Sequence, residues 1–301
     1  MSPEPRTMPS DGPKEPTRKP AVIVATSQVV RGGIGGRAAV FALERLGFRV
    51  WFLPTVQLPW HPGHGPATRI TPSEADFNAL VDDLIKSPWL GEVGAIMTGY
   101  LGGAYQAEPL ERLVKAVKAK RPDALHLCDP VIGDDGALYV PEQTADAIRD
   151  KLVTNADIVT PNLFELAWLT GTDPASERDT AAAARNLGCD RVMVTSSPAL
   201  RRGAIATMLA TQRGAFVAEH AALANPPHGT GDLIAALYLA HRLDGIDDEH
   251  ALAGAASSTF ELTARSVQQD SDELLLAEFQ QAIARPMAMV STRRLVMPRQ
   301  K

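Results

Sequence analysis

The sequence is poor in cysteine and has no long apolar run. Its two cysteines, Cys128 and Cys189, are too few for a disulfide framework and lack the spacing of metal ligands. No stretch approaches the length of a membrane span, and residues 1–20 lack the apolar core of a signal peptide. These absences argue against a disulfide-rich or membrane-spanning protein, and they predict a reducing, cytoplasmic location.

The chain also lacks an excess of positive charge. A formal net charge of -5 over 301 residues argues against a nucleic-acid surface. The expected partners are therefore small molecules rather than nucleic acid or a membrane, and a small anion would need local positive character. With 45% hydrophobic residues, the chain can build a sizeable core.

Apolar runs typical of buried strands alternate with helical patterns from Ala21 onward. This alternation predicts one α/β domain over residues 21–286, with three layers (α/β/α) and a mainly parallel central sheet. Residues 1–20, rich in proline and charge, are predicted to be a disordered tail. Residues 287–301 are predicted to be a C-terminal tail.

Two further segments of the domain carry specific predictions. The apolar runs at residues 204–209 and 215–218 fit an antiparallel edge of the sheet, and a helix is predicted over residues 271–284. Residues 32–36 form a glycine-rich turn between a strand and a helix, but their spacing is not G-x-G-x-x-G. No acidic residue closes the strand that follows, so a dinucleotide-binding dehydrogenase is disfavoured.

The stretch His228-Gly229-Thr230-Gly231-Asp232 runs directly into an apolar helix. Its glycines allow a tight turn whose amides lie at a helix N-terminus, where an anion is favoured. The Asp232 carboxylate would accept an alcohol proton while those amides stabilise charge on a transferred phosphoryl group. An ordinary Asp-capped helix after a glycine turn fits these residues alone equally well.

Polar residues close successive strands, and in an open α/β sheet ligands bind outside the carboxyl ends of the strands. The side chains expected along this edge are Ser27, Tyr100, Asp129, Asn162, Glu165, Thr195 and Ser196. Each also has a structural interpretation, and Asn162 with Glu165 has the spacing of a capping box. Asp129 and Glu165 suit a hydrated Mg²⁺, which prefers a few carboxylates plus phosphate oxygens.

Two loops are further candidates. Residues 54–65, stiffened by prolines, present Trp60 and His61, which suit a flat polar ring. A zinc site at His61 and His64 is disfavoured because no further ligand cluster accompanies them. Residues 133–141 are interpreted as a lid that excludes water from a transfer reaction, with an ordinary connector as the alternative.

Taken together, residues 21–284 resemble the pyridoxal kinases, a branch of the ribokinase-like superfamily. The resemblance rests on motifs that follow one another in family order: residues 27–32, 55–57 with His61 and Gly65, 98–102, 128–131, 133–134, 139–141, 160–162 with Glu165, 195–197 and 229–232.

The resemblance implies an ATP- and Mg²⁺-dependent enzyme that phosphorylates the 5′-hydroxyl of pyridoxal, with pyridoxine and pyridoxamine as further substrates, in vitamin B6 salvage. It makes Asp232 the general base and Gly229, Thr230 and Gly231 the anion hole. The substrate pocket would comprise Ser27, Val56, His61, Pro62, Gly63, Tyr100 and Asp232. Around the nucleotide and metal would lie Asp129, Asp134, Tyr139, Thr160, Glu165, Thr195, Ser196 and the anion hole, with Asp129 and Glu165 at the Mg²⁺. Family members are commonly homodimers and often use a monovalent cation such as K⁺.

The chain departs from the family pattern in its loops. Gln28 stands where many members have histidine, and residues 59–62 read Pro-Trp-His-Pro where Ser-Asn-His-Thr is common. These changes leave vitamer preference and turnover open. Two alternatives remain: a hydroxymethylpyrimidine kinase, which shares the fold and the Gly-x-Gly-Asp end, and a non-catalytic vitamin B6 binder on a decayed kinase scaffold. Retention of Asp232 and both glycines disfavours the binder.

Overall fold

A computed structural model describes residues 18–134 and 136–296. Most of the predicted N-terminal tail, residues 1–20, therefore lies outside the described residues. In the described part, a nine-stranded sheet lies between two layers of helices. This arrangement confirms the predicted three-layer α/β/α architecture. No helix of this part is long and apolar enough to cross a bilayer.

Eleven strands occur in the described residues, nine in the main sheet and two in a small hairpin. In chain order they are β1 (Ala21–Val29), β2 (Arg49–Leu58), β3 (Val93–Thr98), β4 (Leu125–Cys128), β5 (Gly133–Asp134), β6 (Ala137–Leu138), β7 (Ile158–Val159), β8 (Arg191–Ser197), β9 (Ala204–Thr211), β10 (Gly214–Ala221) and β11 (Ser291–Leu295).

The main sheet has the order β11-β10-β9-β8-β7-β4-β3-β1-β2. Strands β2, β1, β3, β4, β7 and β8 pair in parallel, so their carboxyl ends meet along one edge. Strands β9, β10 and β11 each pair antiparallel with the strand before them in the sequence. The predicted antiparallel edge is confirmed.

Nine α-helices cover the sheet in the described residues. They are α1 (Gly36–Arg45), α2 (Glu74–Lys86), α3 (Ala107–Lys120), α4 (Glu142–Ala147), α5 (Leu163–Thr170), α6 (Glu177–Asn186), α7 (Thr230–Leu243), α8 (Asp248–Gln268) and α9 (Gln281–Ala284). A π-helical turn over Ile148–Leu152 extends α4, and one-turn 3₁₀ helices lie at Pro62–His64, Leu90–Glu92, Ala104–Gln106 and Val153–Asn155.

The first strand shows why both faces of the sheet are covered. Along β1, Ala21, Ile23 and Ala25 pack into the core formed with α2 to α6, whereas Val22 and Val24 pack into the core formed with α1, α7, α8 and α9. Successive side chains of a strand point to opposite faces. A strand that is apolar at every position must therefore be buried on both sides.

The structure corrects three predictions. The segment assigned to a loop from residue 54 begins as strand, because β2 continues to Leu58, and Pro54 is tolerated there since β2 is the edge of the sheet. Only Gln281–Ala284 of the helix predicted over residues 271–284 is helical. Leu274 and Leu276 are instead buried two residues apart in an irregular segment.

The predicted tail over residues 287–301 supplies β11, which pairs with β10. Its sequence, Ser-Thr-Arg-Arg-Leu, has no apolar alternation, so the strand pattern is not visible in the sequence. The Arg293 guanidinium forms ion pairs with Glu177 and, at 3.9 Å, with Glu219, and both carboxylates are buried. These ion pairs fasten β11 to the edge of the domain.

Replacing Arg293 by alanine should therefore destabilise the domain by about 1–3 kcal/mol, because it leaves two buried carboxylates with fewer partners. Urea unfolding checks this. The exposed Arg178 of α6 provides the control, and Arg178→Ala should leave the unfolding midpoint unchanged. Equal losses for the two variants would contradict the assigned role of Arg293.

Candidate active site

The carboxylate of Asp232 lies in the first turn of α7 and faces the loop after β1. Its Oδ2 atom accepts a hydrogen bond of 2.9 Å from the backbone N–H of Gly35. Burial raises the pKa of Asp232 to about 6, although the amides of Gly35 and of Asp232 itself favour the charged form. A carboxylate that titrates just below neutral pH is suited to accept a proton from an alcohol.

The glycines before Asp232 have different structural roles. Gly229 has a left-handed φ of 99°, and a Cβ atom there would lie 2.3 Å from the carbonyl oxygen of Gly33. A Cβ on Gly231 would meet no heavy atom within 4 Å. Gly229 thus lets the turn approach the loop after β1, whereas Gly231 leaves open space beside the helix start.

Ser27 lies on the other side of this loop from Gly229. A Cβ atom built on Gly35 would lie 2.4 Å from Oγ of Ser27, so the serine contacts the residue that holds Asp232. The hydroxyl of Thr26 accepts a hydrogen bond from the N–H of Tyr100, at 3.1 Å. The ends of β1 and β3 are therefore adjacent, and they bring Ser27 and Tyr100 to one region.

A small apolar cluster completes this side of the site. Val29, Val56 and Leu58 are buried together, with Ile34 and Tyr100 packed against them. Val56 is fully buried, so it supports the neighbouring Tyr100 from within the cluster. The Tyr100 hydroxyl accepts a hydrogen bond of 2.7 Å from Arg69, a residue that no sequence motif indicated.

The loop with His61 meets the glycine turn through a histidine pair. The imidazole centroids of His61 and His228 are 3.9 Å apart, and the N–H of Gly63 donates to Nδ1 of His61 at 3.1 Å. Burial, followed by the proximity of His228 and His64, lowers the pKa of His61 to about 4. Across residues 18–134 and 136–296, no three His, Cys, Asp or Glu side chains form a group that could hold a metal ion.

A cleft of about 190 Å³ opens beside the first turn of α7, at Thr230 and Gly231. Its lining includes Thr195, Ser196, Thr230 and Gly231, which were all candidates from the sequence. Its other walls come from β9, β10, α8 and the segment before α7, and they include Ile205, His220, Leu223, Ala256, Thr259 and Phe260. Such a cleft suits a ligand with an anionic end and an apolar ring.

No sequence motif indicated the residues that form these other walls. Ala256 and Phe260 lie in the interior of a long amphipathic helix, and Ile205 and His220 lie in strands without a motif. Only the packing of α8 against α7 and the adjoining hairpin brings them to the cleft. Their residue types carry no signal of ligand binding.

Two buried carboxylates follow β4 and β7. The Thr160 hydroxyl donates to Oδ1 of Asp129 at 2.9 Å. Glu165 accepts hydrogen bonds from the N–H groups of Ile132 at 2.9 Å and Asn162 at 2.8 Å. The second of these belongs to a complete capping box on α5, which confirms that structural interpretation.

The charges of these carboxylates act on one another. Burial, and then the charge of Asp232, raises the pKa of Asp129 to about 8. Burial, and then the charge of Asp129, raises the pKa of Glu165. Burial and mutual repulsion therefore outweigh the hydrogen bonds that these groups accept, an environment that favours a bound cation.

The predicted lid is the β5–β6 hairpin and the residues that follow it. Asp134 is exposed, and Tyr139 is 52% exposed. The N–H of Gly133 donates to Oε1 of Glu165 at 3.4 Å, and the side-chain amide of Asn162 donates to the carbonyl of Gly133 at 2.8 Å. The lid therefore lies close to the buried carboxylates.

Comparison with known proteins gives consistent matches over most of the chain. Residues 77–273 match the family model described as phosphomethylpyrimidine kinase. A pyridoxal kinase of Corynebacterium diphtheriae is 35% identical over 88% of this chain and 96% of its own length. A pyridoxine/pyridoxal/pyridoxamine kinase of Bordetella pertussis is 39% identical over 85% and 93%. The pyridoxal kinase of Leishmania donovani, in complex with ADP and pyridoxamine, superposes with a TM-score of 0.85 at 24% identity, over 92% of this chain and 99% of that one.

The family match and the relatives above identify the chain as a kinase of the ribokinase-like superfamily, and the sheet with its carboxylate at the start of α7 agrees with this. Within that superfamily, the loops of this chain resemble those of pyridoxal kinases, and the similarity to pyridoxal kinases extends over most of the chain. The chain belongs to the pyridoxal kinase family.

The two glycines of the turn should respond differently to the same substitution. Gly229→Ala should cost about 3 kcal/mol or more of stability, because it combines a left-handed φ with a clash against Gly33. Gly231→Ala should preserve stability or raise it by up to about 1 kcal/mol, since alanine favours a helix. Its methyl group would nevertheless enter the cleft and weaken ADP binding.

Thermal unfolding and ADP titration calorimetry check both expectations. A stable Gly229→Ala protein would contradict the packing of the turn. Normal ADP affinity in Gly231→Ala would show that the ligand does not approach this part of the cleft.

Proposed function

We propose that this protein is a pyridoxal kinase that transfers the γ-phosphoryl group of ATP to the 5′-hydroxyl of pyridoxal. The observation that carries the proposal is the position of Asp232. Its carboxylate is held by Gly35 near Ser27 and Tyr100, and it follows directly on Thr230 and Gly231, which line the cleft. The names of the relatives support the same reaction.

The reaction follows from the chemistry of these groups. Asp232 accepts the proton of the 5′-hydroxyl while the oxygen of that hydroxyl forms a bond to the γ-phosphorus. The bond from that phosphorus to the β,γ-bridging oxygen breaks, and ADP leaves with the electron pair. The amides of Gly229, Thr230 and Gly231 stabilise the charge on the transferred group.

The acidic residues around the site fit a magnesium ion. Asp129 and Glu165 are buried carboxyl groups with raised pKa values, and a cation would relieve their repulsion. Glu165 uses part of its acceptor capacity for the capping box, so nucleotide phosphates and water would complete the shell. The bound Mg²⁺ would neutralise charge on the phosphates, with Thr160 fixing the orientation of Asp129.

The pyridine ring is assigned to the other side of Asp232. Ser27 would face the polar edge of the ring, with Tyr100 and His61 against the ring and Val56, Pro62 and Gly63 supporting them. Asp134, Tyr139, Thr195 and Ser196 are assigned to the nucleotide. A cytoplasmic homodimer, a monovalent cation such as K⁺, and activity on pyridoxine and pyridoxamine are proposed on the family resemblance.

Asp232→Asn should lower kcat by about 10²–10⁴-fold, because the amide cannot accept the proton. KM values should stay within about threefold, since substrate binding uses other groups. In the wild type, kcat should fall as the pH drops through about 6, where the carboxylate of Asp232 becomes protonated. Rate measurements from about one pH unit below that pKa to about two units above it check this.

The exposed Asp173→Asn is the matched control, and it should behave as the wild type. Full activity of Asp232→Asn would exclude the proposed base.

Substrate comparison separates the proposal from its alternatives. An ATP-coupled assay should show turnover of pyridoxal, with hydroxymethylpyrimidine a poorer substrate, because residues 27–32 and 55–65 resemble the pyridoxal branch. A strong preference for the pyrimidine would support the function in the name of the matched family model. Pyridoxal binding without turnover of ATP would support the non-catalytic binder.

A further inference from the structure

His228 joins two loops that are distant in the sequence. It directly precedes Gly229, and its imidazole stacks on that of His61 with an interplanar angle of 33°. Gly63 lies close to both rings, because a Cβ atom there would be 2.9 Å from Nδ1 of His61 and 3.2 Å from Nε2 of His228. The 3₁₀ turn Pro62–His64 is thus packed against both rings.

The side of this contact that carries His228 is anchored to the domain. His228 forms a β-bridge with Glu273, and Gly229 packs against Gly33. Arg31 in turn forms ion pairs with Asp272 at 2.8 Å and Glu273 at 3.4 Å. Three segments therefore hold the backbone at His228 in place.

The loop over residues 59–65 combines local hydrogen bonds with contacts at its two ends, where the carbonyl of Pro59 accepts from the N–H of Arg31 at 2.9 Å and His64 lies 3.8 Å from Asp272. The indole of Trp60 donates to the carbonyl of Gly65 at 3.3 Å, and the N–H of His64 donates to the carbonyl of His61 at 2.9 Å. Its exposed outer part includes Pro62 and Gly63. Within this loop, His61 is the residue whose ring stacks on the ring of His228.

We propose that His228 is a positioning residue that holds the loop over residues 59–65 against the glycine turn by stacking on His61. The catalytic consequence rests on the proposed function, since it assigns His61 to the pyridoxal pocket. The structural role, which is to hold this loop in the ligand-free protein, does not depend on the proposed function. A loop held in place before substrate arrives lowers the entropy lost on binding.

The surroundings favour two uncharged rings. Burial lowers the pKa of both His61 and His228, and each lies near another histidine. The other charged groups around the pair are His64, whose Nδ1 lies 3.8 Å from Asp272, and Asp134, which raises the pKa of His228. The contact should therefore depend on ring packing, so a phenyl ring should replace the imidazole of His228.

Two variants test the role of His228. His228→Ala should raise the KM for pyridoxal by about 3–10-fold, the factor expected from losing one aromatic contact. The kcat and the KM for ATP should change less than about twofold, since the stacked ring acts on the loop and not on the reacting atoms. His228→Phe should restore the wild-type KM. His250→Ala, which removes an exposed histidine from α8, is the control and should have no effect.

Hydrogen exchange of the ligand-free protein gives an independent measurement. Amides of residues 61–65 should exchange about 3–10-fold faster in His228→Ala than in the wild type or in His228→Phe. Unchanged exchange in His228→Ala would overturn the proposal. So would a rise confined to the KM for ATP, or a His228→Phe variant as impaired as His228→Ala. If the wild type fails to phosphorylate pyridoxal but the exchange difference remains, the proposed function fails and the positioning role stands.

Discussion

The hydrogen bond from the N–H of Gly35 to the carboxylate of Asp232 constrains the rest of the site. It requires the loop after β1 to approach the start of α7 closely enough for backbone to meet side chain. At that separation a Cβ on Gly35 would collide with Ser27, and a Cβ on Gly229 would collide with Gly33. Glycine at position 229 is therefore a consequence of the contact between two distant segments, whereas glycine at position 35 follows from the path of the loop after β1, with its φ of 59°.

The site brings together three acidic side chains whose ionisation is energetically unfavourable. Asp129, Glu165 and Asp232 all have raised pKa values, with burial as the main cause. A protein selected for stability alone would replace such groups or pair them with cations of its own. Buried carboxyl groups with raised pKa values are typical of functional sites, where a ligand supplies the missing partner. A phosphate-bound cation would satisfy the same carboxylates that destabilise the unliganded protein.

Much of this molecule could be predicted from the sequence, for identifiable reasons. A strand such as Ala21 to Ala25 can be predicted from its apolar run, because burial on both faces requires every side chain to be apolar. The position of polar residues at strand ends follows from the parallel sheet. The strand β11 could not be predicted in this way, because ion pairs of Arg293, and not an apolar face, attach it to the domain. The irregular segment around Leu274 has a helical composition, but its leucines pack beside Gly33.

The same reasoning explains which parts of the site were missed. Gly35 acts through its backbone, and Phe260 and His228 reach the site only through tertiary packing. The glycine turn and the carboxylate are features that the sequence shares with pyrimidine kinases of this fold, so they cannot determine the substrate. Discrimination between a pyridine and a pyrimidine must lie in the loops that face the ring. Under the proposed function, one such loop is residues 59–65, which Pro59 and Pro62 stiffen and which packs through His61 against the turn before α7. Its shape is therefore set before a substrate enters, and a preformed loop selects its ring by fit rather than by adaptation.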